Sequence, residues 1–299
     1  MNNVKVNFSI KDLENLSGIK AHTIRIWEKR YNLLSPNRTD TNIRYYSLKS
    51  LQKLLNITLL YNNGYKISRI AKIPEDELPI VVREIVSENS VKNKAINAFK
   101  LAMINFDQSL FLNTYNSLLG DRSFREIFYE IFLPLLNELG LLWQTDTISP
   151  AHEHFVTALI KQKILLNIEK LQLAEPTKTD HTFVLYLPDN EIHEIGLLYL
   201  NYEIVLRGYR VIYLGQTIPV TSLPDIQRYY DNIIYLSYFT VAPPAEEVES
   251  YLDEFQTKVN KNGDCKLWIL GQQVKGLVST YNYKDVSTFH SIEEVTESL

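Results

Sequence analysis

The chain has 299 residues, 45% of them hydrophobic, and a formal net charge of −4. That length exceeds one small domain, the apolar fraction suffices for packed cores, and the overall charge by itself argues against a phosphate-rich partner. A single cysteine, Cys265, excludes an internal disulfide and a thiolate metal cluster. No apolar run is long enough to span a bilayer, so a cytoplasmic chain with no membrane partner is expected.

Residues 1–7 read as a loose lead-in. Ser9 can cap a helix running to Leu16, and Gly18 can end it. In the next segment Ile24, Trp27 and Tyr31 fall at helical spacing, which gives one face that anchors in a small core. The other face presents Thr23, Arg25 and Lys29. Pro36 ends the helix. Arg38 and Arg44 then flank the turn-rich Thr39-Asp40-Thr41-Asn42, and Arg44-Tyr45-Tyr46 reads as the returning strand of a short hairpin. Arginines at the base of such a wing, beside a cationic helix, suit a phosphate backbone and a groove. The plainer alternative is a small helical domain with a solvated cationic face. Ser47 caps the next helix, whose inner positions are Leu48, Leu51, Leu54, Leu55 and Leu59. Asn62-Asn63-Gly64 stops it, a short helix spans 68–71, and Pro74 and Pro79 bracket a linker.

The distribution of charge reverses the argument from the total. Residues 1–75 hold 13 Lys and Arg against 5 Asp and Glu, a balance of +8; residues 76–299 hold 18 against 30, a balance of −12. A basic head on an acidic body fits a head that meets phosphates.

From Val81 to about Gln172 the periodicity is helical, with helices expected near 81–104, 107–119, 122–142 and 150–172. Phe124, Ile127, Phe128, Ile131, Leu135 and Leu139 repeat at three and four, the pattern of a four-helix bundle. Pro134 should kink the third helix. After Ala174-Glu175-Pro176 the period changes. Short apolar runs at 182–187, 210–214, 232–236, 266–270 and, more weakly, 286–290 alternate with helical stretches near 193–207, 220–230, 244–261 and 273–281. Strand alternating with helix predicts a doubly wound parallel sheet. Ligands of such sheets sit beyond the carboxyl ends of the strands, in the loops at 188–193, 215–217, 237–240 and 271–273. The expected fold is therefore multidomain, α and α/β. It comprises a winged helix-turn-helix head at 1–75, a four-helix bundle at 80–173 and a flavodoxin-like or Rossmann domain at 180–299.

Two constellations carry chemistry. The first is Glu191-Ile192-His193-Glu194-Ile195-Gly196, directly after the first strand of the sheet. A histidine at the mouth of a parallel sheet can ligate a metal, and a carboxylate holding its other ring nitrogen makes it a better ligand. The alternative is an exposed loop histidine that caps the next helix. The second is Trp143, nine residues, then Glu153-His154. Taken singly, these are ordinary core packing and favourable charge at a helix start. A receiver-type phosphorylation site is disfavoured, because Ser237 stands where the aspartate would be. With ten glycines in the whole chain there is no glycine-rich phosphate loop either.

The ordered series Phe8-Ser9-Ile10, Thr23-Ile24-Arg25, Trp27-Glu28, Arg30-Tyr31, Leu33-Leu34, Pro36, Arg38 and Arg44-Tyr45-Tyr46-Ser47 resembles the winged helix-turn-helix of the MerR family of transcription regulators. The resemblance covers about residues 8–73. It implies that Thr23, Arg25 and Arg30 contact DNA from the helix and Arg38, Arg44 and Tyr46 from the wing, with Trp27 in the core. Glu191-x-His193-x-x-Gly196, then Ser237-x-Phe239, then Gly271 resembles the cobalamin-binding Rossmann domain. This implies His193 as lower axial ligand of cobalt, with Gly196, Ser237 and Gly271 making room for the nucleotide tail. Glu191, Phe239 and Gln272 depart from the pattern, and the last two add volume where the tail would slide. Trp143 with Glu153-His154 resembles the helical module that caps cobalamin in methionine-synthase-like proteins. In light-sensing regulators with this module a histidine follows the tryptophan; here it is Gln144, which argues against light sensing.

Three readings follow: a regulator, acting as a repressor on promoter DNA, with a cobalamin sensor for adenosyl- or methylcobalamin; the same regulator with a ligand-free sensor that serves oligomerisation or a protein antagonist; and a corrinoid carrier or methyltransferase module. The third leaves the basic head without a role. Catalytic residues are not expected, and a homo-oligomer is, because one small head covers half a typical site.

Overall fold

A computed structural model describes residues 7–39, 41–62, 64–75, 77–78, 81–82, 91–144, 148–275, 283 and 285–299. It divides into two compact units, Met1–Ile160 and Lys161–Leu299, with the division inside one long helix.

In the first unit the described residues begin with strand β1 (Asn7–Phe8), which takes in Asn7 of the expected lead-in, the rest of which lies outside the described residues, and then comes the helix Ile10–Ser17. Ser9 caps it with a reciprocal capping box: its hydroxyl accepts from the Asp12 N–H while the Asp12 carboxylate accepts from the Ser9 N–H. Gly18 ends it with a left-handed φ of 74° that an L side chain rarely adopts. The helix Ala21–Tyr31 follows, then β2 (Asn37–Arg38) and β3 (Arg44–Ser47). β3 pairs antiparallel with both β2 and β1, so the wing is a three-stranded sheet of order β1-β3-β2. The helix Leu48–Asn62 buries Leu51, Leu54, Leu55, Ile57, Leu59 and Leu60, and Trp27 meets the Tyr61 ring edge-on with centroids 5.2 Å apart.

The helices Val91–Asn105 and Gln108–Leu118 come next; of the helix expected from 81, residues 83–90 lie outside the described residues. The segment Phe124–Ile127 opens the third helix under a Ser123–Glu126 capping box. It widens to a π turn at Phe128–Phe132 and continues as Leu133–Gln144. The π turn lies directly ahead of Pro134, whose ring cannot donate and crowds the preceding turn, so the wider turn absorbs the irregularity. Phe99, Phe111, Tyr115 and Phe132 form the aromatic centre, with Phe99 and Phe111 centroids 4.7 Å apart. The fourth helix, Pro150–Gln172, has the expected bounds.

The second unit is a five-stranded, all-parallel sheet of order β5-β4-β6-β7-β8. Its strands are β4 (Lys178–Tyr186), β5 (Tyr209–Gly215), β6 (Ile233–Tyr238), β7 (Lys266–Leu270) and β8 (Val286–Phe289). The crossover Ile195–Leu206 is α-helical, as is Val248–Lys258. The expected helix at 220–230 is a 3-10 helix, Val220–Arg228, because Pro224 sits inside it and removes a donor. The stretch expected at 273–281 is described only as the short turn Gln272–Val274; 276–281 lies outside the described residues. A final helix, Ile292–Glu297, was not expected and is capped by Ser291. The strand order places a topological switch between β4 and β6: the chain leaves β4 toward β5 on one side and returns to β6 on the other.

Candidate nucleic-acid interface and cofactor site

The helix Ala21–Tyr31 turns Ile24 and Trp27 into the core and leaves His22, Arg25, Ile26, Lys29 and Arg30 exposed. Thr23 is half-buried, with its hydroxyl 3.3 Å from His22 Nε2. On the wing Arg38 is exposed and donates from Nη1 to Asn42 Oδ1 at 2.6 Å, across the hairpin register Arg38↔Arg44. The helix and Arg38 thus present four cations, Arg25, Lys29, Arg30 and Arg38, and none of the four is in an ion pair among the described residues.

Two wing residues stand elsewhere. Tyr46, expected on the contact surface, is 0% exposed and donates its hydroxyl to Glu28 at 2.5 Å. Burial, reinforced by the Glu28 carboxylate, pushes its pKa well above the ordinary range. Arg44 is half-buried and leans toward the same carboxylate, with Nε 3.8 Å from Glu28 Oε2. Glu28 therefore ties wing to helix, fixing the angle between the two surfaces. In the sequence Glu28 stands within the Trp27-Glu28 motif without a role of its own.

In the first unit Glu153 and His154 lie in the opening turn of Pro150–Gln172. His154 is exposed, with Nε2 3.7 Å from Glu153 Oε2. The buried imidazole of this turn is His152, whose Nδ1 lies 2.8 Å from Ser149 Oγ and whose ring stacks on Phe106 at 4.7 Å. Trp143 lies on the helix Leu133–Gln144, and its side chain is outside the described residues.

The second unit assembles its expected residues at the β4/β6 switch. Glu191 follows β4 and is 0% exposed. Its Oε2 accepts from the N–H groups of Thr240, Val241 and Ala242 at 3.0, 2.6 and 3.0 Å, and these follow β6. Its Oε1 accepts from the N–H groups of Ile192 and His193, each at 2.9 Å, and lies 2.6 Å from His193 Nδ1. Burial raises the pKa of this carboxyl, but the backbone donors and His193 together outweigh it, so the net shift is downward and the group is ionised. The His193 side chain is 54% exposed. With Nδ1 held by Glu191, Nε2 is the nitrogen left to take a metal. The neighbouring Glu194 is nearly buried and gathers Lys161 Nζ, Tyr213 Oη at 3.0 Å and Gln216 Nε2 at 2.5 Å, which pins the start of the first crossover helix. Sequence reading gave this carboxylate no role.

The positions that would leave room for a nucleotide tail are occupied. A Cβ added at Gly196 would lie 2.6 Å from the Tyr238 ring, so that ring covers the glycine. Gly271 has φ 122°, and an added Cβ would lie 2.3 Å from the Phe239 carbonyl oxygen; it serves a close approach of two backbones. Ser237 is fully buried and donates to the Tyr186 carbonyl at 2.9 Å. Phe239 is fully buried with its ring edge-on to Tyr251. His193 thus keeps one ring nitrogen open. Among the described residues no group of three or more His, Cys, Asp or Glu side chains surrounds a metal position, and the residues at Gly196, Ser237 and Gly271 do not fit a threaded tail.

Residues 8–77 match the family described as MerR HTH family regulatory protein, and residues 95–166 match the B12 binding domain. The chain thus carries a segment similar to the MerR helix-turn-helix ahead of a helical segment similar to the B12 binding domain. It is homologous to two curated repressors of Myxococcus xanthus. It is 27% identical to the HTH-type transcriptional repressor CarH, over 70% of each chain, and 25% identical to the HTH-type transcriptional repressor CarA, over 82% of this chain and 81% of that one. Among solved structures, the monomethylamine corrinoid protein of Methanosarcina barkeri superposes with a TM-score of 0.57 at 11% identity, over 69% of this chain and 97% of the other, a likeness of fold. No helix among the described residues is long and apolar enough to cross a membrane.

Proposed function

We propose that the chain is a DNA-binding transcription regulator, acting as a repressor, with a head at 1–75, a helical module at 80–173 and a sensor domain at 180–299. The observation that carries this is the helix Ala21–Tyr31: Ile24 and Trp27 anchor it, and Arg25, Lys29 and Arg30 stand outside on the opposite side. Thr23, Arg25 and Arg30 contact DNA from the helix, and Arg38 contacts backbone from the wing. Arg44 serves the same surface from its seat beside Glu28. The protein works as a homo-oligomer in the cytoplasm, on double-stranded DNA, and no catalytic step is assigned to it. A gel shift of the full chain on promoter fragments tests this. Salt-sensitive, sequence-preferring retardation is expected, and its absence at every protein concentration would defeat the reading.

Cobalamin is the cofactor class to which the helical module points. His193, oriented by Glu191, would take the cobalt in the second unit, and in the first unit Trp143, Glu153 and His154 are the residues assigned to the same cofactor. Bound there, a corrinoid would supply a ligand-exchangeable metal centre whose state the regulator could sense. The covered Gly196 and buried Ser237 favour a second reading, in which the same regulator works without an inserted tail and its acidic body serves oligomerisation or a protein antagonist. A corrinoid carrier would have no use for the cationic head.

A further inference from the structure

The outward positions of the helix Ala21–Tyr31 include one apolar residue, Ile26, which is 50% exposed. Ile26 lies four residues after His22 and three and four residues before Lys29 and Arg30, and Arg25 flanks it. Ile26 therefore stands in the middle of the cationic face and not at its border with the core. Burying such a side chain fully is worth about 1.5–3 kcal/mol, and this one forgoes much of that. Its β-branch also makes it a poorer helix former than alanine.

We propose that Ile26 reads thymine, packing its methyl groups on the C5-methyl of a thymine in the major groove while the surrounding cations grip phosphates. Two observations select this occupant. The ring of Arg25, Lys29 and Arg30 disfavours an apolar protein surface, since docking one would strip water from three cations. In the major groove, the thymine methyl is the apolar group among the base-edge features that identify a base pair. The inference rests on the regulator reading and adds a base to it.

The test uses the full chain and a duplex enriched from a random pool. Each thymine is replaced in turn by deoxyuridine, which removes one methyl and leaves every hydrogen-bonding group. Binding is expected to weaken about fourfold at one or two thymines, the equivalent of one buried methyl. Ile26→Ala should bind the thymine and uracil duplexes alike, while Ile26→Val should keep the discrimination. Circular dichroism confirms that the exposed substitution leaves the fold intact. Indifference of the wild type to every uracil, with its preference over scrambled DNA preserved, would overturn the inference. So would undiminished discrimination by Ile26→Ala. If no duplex is preferred over scrambled DNA, the regulator reading itself fails and carries this one down with it.

Discussion

Glu191→Ala removes the carboxylate that, among the described residues, ties the loop after β4 to the loop after β6. Five backbone N–H groups and one imidazole nitrogen lose their acceptor. A hydrogen bond to a charged group contributes about 1.5–3 kcal/mol net, but six around one group are strongly non-additive, and water will reach the donors nearest the surface. Counting only the three donors that cross from the β6 loop, at the lower limit, gives about 4.5 kcal/mol, which non-additivity and access of water reduce to about 3 kcal/mol. That is a large share of the ~5–15 kcal/mol of a typical domain. Hydrogen exchange read by mass spectrometry, on peptides covering 188–196 and 237–244, isolates the effect from the other unit. At 1.4 kcal/mol per decade, exchange there should quicken by roughly a hundredfold. Glu191→Gln should also destabilise, because its amide turns donors toward donors. The pH dependence follows from the sign of the shift. The folded carboxyl titrates below its ordinary value of 4.5, so its contribution is complete above that value and disappears as pH falls through the lower, folded one. The gap between wild type and Glu191→Ala should accordingly narrow in acid. Unchanged exchange at neutral pH would refute the assignment of Glu191 as the tie between the loops.

Arg25→Ala should weaken specific DNA binding by about 1–3 kcal/mol if Arg25 reads a base edge. Arg38→Ala should weaken all sequences alike and flatten the salt dependence by about one phosphate contact. Equal behaviour of the two variants would merge helix and wing into one undifferentiated surface. Tyr238→Ala should uncover Gly196, so that the variant retains more hydroxocobalamin after desalting than the wild type does. Retention of a full equivalent by the wild type, with none gained by the variant, would show that the Tyr238 ring does not close the slot.

The periodic elements were readable because their signals are local. Ser9 and Gly18 bound the first helix through cap chemistry, and Pro150 opens the fourth bundle helix where its missing donor costs nothing. The alternation of apolar runs and helices gave the parallel sheet. What the sequence concealed depends on neighbours distant along the chain. Strand β1 is two residues long and exists only because β3 offers it an edge. Tyr46 carried a wing motif, but its fate was decided by Glu28, 18 residues earlier, which takes its hydroxyl into the core. Glu191 and His193 were visible as a pair. That the pair is anchored by Thr240, Val241 and Ala242 follows from the strand order alone. The volume of Phe239 was legible as an obstacle; the ring over Gly196 belongs to Tyr238, the variable position of its motif, which no spacing rule singles out.

The central claim, that positive charge in the leading quarter of the chain lies against a duplex, is tested most directly by the salt dependence of binding. Fluorescence anisotropy of the full chain on its selected duplex, between about 50 and 200 mM salt, should give an affinity falling log-linearly with a slope of about −0.9 per phosphate contacted. The triple variant Arg25→Ala, Lys29→Ala, Arg30→Ala should flatten that slope and erase the preference over scrambled DNA. A slope and a preference unchanged in the triple variant would place the DNA elsewhere and contradict the account.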